Sequence, residues 1–106
     1  MASTTSDFSR VKREIEVGLG SIGRVRITAA LARNPDRRLT IYAISAATGL
    51  KRVDIKANLS HLVRIGWVNA YSSPPPTKYQ INLSNATASR WAEFLRSSGY
   101  FHSELA

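Results

Sequence analysis

Lys51, Arg52 and Lys56 crowd one short stretch of the chain, with Val53, Ala57 and Ser60 interleaved. An arginine guanidinium is a planar fork of donors and matches two neighbouring acceptors, such as N7 and O6 of guanine. A lysine ammonium reaches the same atoms, or a phosphate oxygen, as a point charge. Ala57 and Ser60 are small enough to let a helix approach a groove floor, and Val53 or Ala57 suits a thymine methyl. Other chemistry is poorly supplied. The two histidines, His61 and His102, lie far apart, and neither has a carboxylate at metal-binding spacing. Glu14 and Glu16 fall on different helix faces and do not form an acid–base pair. Gly18, Gly20 and Gly23 lack the Lys-Ser/Thr of a phosphate loop. With no cysteine, thiolate metal sites, nucleophilic thiols and disulfides are all excluded. The expectation is a non-enzyme without metal or cofactor.

Charge points the same way. Fifteen Lys and Arg oppose seven acids in 106 residues, a net charge of +8. Such a chain attracts polyanions by releasing their counterions. Between 37 and 64, Arg37, Arg38, Lys51, Arg52, Lys56 and Arg64 face Asp54 alone. Apolar residues make up 43% of the chain, enough for one globular core. The polar start, and the lack of any apolar run of about 18 residues, lead to the expectation of a cytoplasmic protein that makes no use of a membrane.

The elements that position these residues follow from spacing. Residues 1–6 read as a frayed tail. Asp7 caps a helix with Phe8, Val11 and Ile15 on one face, ended by Gly18 and Gly20. Ser21 is the expected cap of a second helix with Ile22, Val25, Ile27, Ala30 and Leu31 inward, stopped by Asn34, Pro35 and Asp36. Leu39 to Ile41 reads as a short strand leading into a helix over 41–48, capped by Thr40, with Ile44 and Ala47 inward. Gly49 suits a left-handed turn and Leu50 a core anchor. A helix over 52–65 buries Ile55, Leu59 and Leu62, which turns Lys51, Arg52, Val53, Lys56, Ala57 and Ser60 outward. Residues 67–71 and 78–83 read as a hairpin around Pro74, Pro75 and Pro76, with Tyr79, Ile81 and Leu83 on one face. Ser84 or Asn85 caps a last helix carrying Ala88, Trp91, Ala92 and Leu95, closed by Gly99, with a tail over 100–106. The fold class is mainly α with a small β-hairpin, in one domain over 7–99.

The run from Leu39 to Ile44, the turn Thr48, Gly49, Leu50, the anchors Ile55, Leu59 and Leu62, and Gly66, Trp67, Val68 together resemble the winged helix-turn-helix regulators of archaea and bacteria. The arsenic-repressor and multiple-antibiotic-resistance types are the most similar. Gly20, Ser21, Gly23 to Ile27 and Leu31 are similar to the first core helix of archaeal members. The resemblance covers about 19–83 and leaves the terminal helices as additions. It implies double-stranded DNA as partner, a transcription-regulating role on the nucleoid, and entry of helix 52–65 into the major groove. Three positions depart from the pattern: Ser45 replaces a usual alanine, Lys51 a usual Ser/Thr cap, and the prolines a Gly/Arg wing tip.

Arg24, Arg26, Arg37, Arg38 and Lys78 stand near helix starts or the hairpin and are the expected phosphate contacts. Trp67, Tyr71 and Tyr79 suit packing more than base stacking, and His61 a polar surface. Phe8, Val11, Ile15, Trp91, Phe94 and Leu95 lie beyond the winged core and form an expected homodimer interface. Two alternatives remain at this point: a winged helix used for protein–protein assembly, and a nonspecific architectural DNA-binding protein.

Overall fold

Thr40 ends a strand and starts a helix, and most of the fold can be traced outward from that joint. A computed structural model describes Glu16 and residues 20–101. The expected helix bearing Phe8, Val11 and Ile15 lies outside them, except Glu16, which is helical and buried.

Helix α1 (Ile22–Arg33) buries Val25, Ile27, Thr28, Ala29, Leu31 and Ala32. This is wider than the expected stripe and shifted from it: Ile22 is exposed and Ala30 half-buried. The cause is that α1 packs on two sides. Ile27, Leu31 and Ala32 join the main core, while Val25 and Ala29 meet Leu95 and Tyr100. Ser21 occupies the N-cap position, but its side chain makes no capping bond, contrary to expectation. Asn34 ends the helix.

Strand β1 (Leu39–Thr40) runs straight into α2 (Ile41–Thr48). The Thr40 Oγ1 accepts from the Ala43 N–H at 3.1 Å, satisfying one orphan donor of the first turn. Gly49 then takes φ 76°, where a Cβ would be strained, and its N–H closes on the Ser45 carbonyl. The turn is laced further: Ser45 Oγ donates to the Leu50 carbonyl at 2.8 Å, and Thr48 Oγ1 accepts from Leu50 N–H. Ile44 is buried as expected, whereas Ala47 is exposed. Helix α3 (Arg52–Arg64) buries Ile55, Leu59 and Leu62.

Strands β2 (Val68–Tyr71) and β3 (Lys78–Ile81) form the expected antiparallel hairpin, with Val68 opposite Ile81 and Tyr71 opposite Lys78. The short strand β1 adds to its other side, Leu39 opposite Tyr79, giving the order β1-β3-β2. Leu83 does not continue the inward face. The ladder stops at Ile81, Asn82 Oδ1 accepts from Ser84 N–H, and the chain turns away, leaving Leu83 exposed.

Helix α4 (Ala86–Ser97) is capped by Asn85, whose Oδ1 accepts from Ala88 N–H at 3.0 Å. Its buried face is Ala88, Ala92 and Leu95. The packed domain runs past its expected end at 99, because Tyr100 is fully buried and Phe101 packs beside it. Each fully buried Leu or Ile contributes about 1.5–3 kcal/mol, so Ile27, Leu31, Ile44, Ile55 and Leu59 dominate cohesion of the main core. Among the described residues, four helices and three antiparallel strands make an α+β fold, and no helix is long and apolar enough to cross a membrane.

Candidate nucleic-acid interface

A helix turns about 100° per residue, so burying Ile55, Leu59 and Leu62 forces Val53, Ala57 and Ser60 to the opposite side. All six expected base-contact residues, Lys51, Arg52, Val53, Lys56, Ala57 and Ser60, are exposed. Val53 is 71% exposed, a large apolar side chain left mostly in water. Lys51 holds the N-cap position with extended backbone but offers no side-chain acceptor, as its chemistry dictates. Asp54 lies in the first turn of α3, where the helix dipole favours an acid.

Neighbouring helices fix the two flanks of this face. On one side, Arg52 Cζ lies 5.4 Å from the ring centroid of Tyr42, a residue of α2 that is 70% exposed. Sequence reasoning passed over Tyr42; the available signal was an aromatic residue between Ile41 and Ile44 on a helix with little room for it inside. On the other side, Asn58 Nδ2 donates to the Asp54 carbonyl, and Asn58 Oδ1 accepts from Arg24 Nε at 3.0 Å. Gly23 allows this approach, since a Cβ there would meet Asn58 Nδ2 at 3.3 Å.

The five expected phosphate contacts divide. Arg37, Arg38 and Lys78 are exposed, and strand pairing gathers them: Lys78 lies opposite both Thr40 and Tyr71, while Arg38 Cζ sits 3.6 Å over the Tyr71 ring. Arg24 is exposed but shared with Asn58. Arg26 departs from expectation. Its Nε pairs with Glu16 Oε2 at 3.0 Å, and the same oxygen accepts from the buried Tyr100 hydroxyl at 2.8 Å. The bond to Glu16 raises the Arg26 pKa, against the effect of burial, so this guanidinium is engaged by a carboxylate of its own chain although its side chain is 39% exposed. Trp67 and Tyr79 are half-buried against the main core.

The expected interface set divides as well. Phe8, Val11 and Ile15 lie outside the described residues. Leu95 is fully buried within its own chain, and Trp91 Nε1 donates to Thr28 Oγ1 at 2.8 Å. Of the described members only Phe94, stacked on Trp91 with centroids 5.6 Å apart, is exposed, at 47%. His61 is exposed, and no group of three His, Cys, Asp or Glu among the described residues could hold a metal. The chain matches no protein-family model and no curated protein.

Proposed function

We propose that this chain is a winged helix-turn-helix protein that binds double-stranded DNA and regulates transcription on the nucleoid. Helices α2 and α3 form the helix-turn-helix, and β2 and β3 form the wing. The observation that carries this is the outward side of α3, where exposed cations flank the small residues Ala57 and Ser60 and the uncovered Val53. Charged donors beside small and methyl-bearing side chains suit a major groove, which presents guanine acceptors and thymine methyls. Arg37, Arg38 and Lys78 supply a second basic cluster for the sugar-phosphate backbone. Arg26 is left out of the contact set because Glu16 holds it. Selection of sites from random duplex DNA at two salt concentrations tests this. One enriched motif is expected; uniform recovery with a steep salt slope indicates an architectural protein, and no recovery leaves protein–protein assembly.

We also propose a homodimer, now resting on Phe94 together with Phe8, Val11 and Ile15. Phe94→Glu places a charge on an exposed side chain and should yield folded monomers with weaker DNA binding. Wild-type protein sedimenting as a monomer at micromolar concentration would remove the dimer.

A further inference from the structure

Residues 72–77 close the hairpin beyond the pair Tyr71 and Lys78, and their sequence Ser-Ser-Pro-Pro-Pro-Thr carries no charge. Pro74, Pro75 and Pro76 are all exposed. A hairpin end that meets only water is usually closed by glycine, asparagine or aspartate. Three successive proline rings give this tip an apolar surface instead, with φ fixed at each position and no N–H to donate. Cations are anchored at its base. Arg38 lies over the Tyr71 ring, its Cζ 3.6 Å from the centroid, and Lys78 stands opposite Tyr71. The turn before Arg37 is fastened to the hairpin, since Gln80 Nε2 donates to the Pro35 carbonyl at 2.8 Å. Arg37 N–H in turn donates to the Asn34 carbonyl at 3.0 Å. Asp36 is the one acid in residues 34–40 and 71–78.

We propose that the proline tip is a wedge that enters the minor groove beside the segment read by α3 and bends the duplex. This rests on the DNA-binding reading above. Phosphates line both rims of the groove, so Arg37, Arg38 and Lys78 grip the rims while the uncharged tip passes between them. The groove is about 6 Å wide, and at A·T pairs its floor offers only acceptors. Proline has no donor for them, so the tip reads no base edge. An apolar ring acts there by pressing between two base pairs, which unstacks them and kinks the helix toward the major groove. The tip is stiff before it binds, so its insertion loses little chain entropy. The specificity gained is for deformability. Pyrimidine–purine steps unstack most readily, so one is selected at a fixed distance from the bases that α3 contacts.

The test is energy transfer between two dyes at the ends of a duplex carrying the selected site. Binding of the protein should bring the dyes closer, through a bend of roughly 20–90°. Combining Pro74→Gly, Pro75→Gly and Pro76→Gly should leave the duplex nearly straight. Affinity of that variant should stay within about tenfold of wild type, because α3 and the cations are unchanged. On the DNA side, replacing the pyrimidine–purine step by a stiff ApA step should weaken wild type about tenfold and spare the variant. Binding without a bend, a bend kept by the triple variant, or equal loss for both proteins at the stiff step would each overturn the wedge alone. No binding to any duplex would overturn the DNA reading and the wedge together.

Discussion

Arg24 and Asn58 join the first turn of α1 to the middle of α3 through a hydrogen bond of 3.0 Å, across 34 positions of sequence. The bond ties α1 to the flank of α3, whose rotation is set by burial of Ile55, Leu59 and Leu62. A double-mutant cycle of Arg24→Ala and Asn58→Ala, followed by urea denaturation, should give a coupling of about 0.5–1 kcal/mol. Strictly additive effects would show that the bond does not hold the two helices.

Lys51 sits where a capping acceptor belongs and makes no capping bond. Lys51→Ser should therefore stabilise the fold by about 0.5–1 kcal/mol in urea denaturation. The same change removes a cation from the proposed DNA face and should weaken duplex binding. Opposite signs in the two measurements are expected. A stabilised variant with unchanged DNA affinity would take Lys51 out of the contact set.

Arg52→Ala should weaken binding to the selected site by about 1–3 kcal/mol and relax base choice at one position. Equal loss on every sequence would make Arg52 a phosphate contact instead. Tyr42→Ala is expected to reproduce part of that loss, because the aromatic face beside Arg52 goes with it; Tyr42→Phe keeps the face and should cost little. Equal effects of the two Tyr42 variants would point to the hydroxyl rather than the ring.

Tyr100→Phe removes the buried donor to Glu16 and should lower stability by about 1–3 kcal/mol at neutral pH. Arg26, the other partner, has a pKa raised in the folded state, mainly by the bond it donates to Glu16. A raised base contributes stability that is complete below its unfolded pKa and lost only as pH climbs through the folded one. Both values are strongly alkaline. Loss of Arg26 charge should thus add no slope to stability from about pH 5 to 9, which urea midpoints across that range will check after Arg26→Gln is compared with wild type.

The local signals along the chain were legible where chemistry and geometry coincide in a few residues. Thr40 before Ile41, Gly49 after Thr48 and the spacing of Ile55, Leu59 and Leu62 located α2, the turn and α3, because caps and periodicity act over a single turn. What depends on distant partners was hidden. Ala47 is too small for its type to decide whether it points in or out of an eight-residue helix. Pairing of β1 with β3 joins residues some forty positions apart, and with the Arg38–Tyr71 contact it brings Arg38 toward Lys78. Arg26 has the composition of a phosphate contact; only the fold reveals Glu16 and Tyr100 beside it. Trp91 and Leu95 formed a visible apolar stripe, yet nothing local told which surface would cover it.

Among the described residues, the strand order β1-β3-β2 leaves β2 with one unpaired side, from Val68 to Tyr71. A row of free N–H and C=O groups invites another copy to add a strand, the first step toward aggregation. Here the row is four residues long and runs directly into the segment holding Pro74, Pro75 and Pro76, which have no N–H to offer. From Pro74 onward the backbone has three consecutive positions with no donor, so a ladder cannot continue through them. The three prolines, in place of a flexible basic tip, thus act as a guard on the sheet margin that does not depend on the charge of the chain.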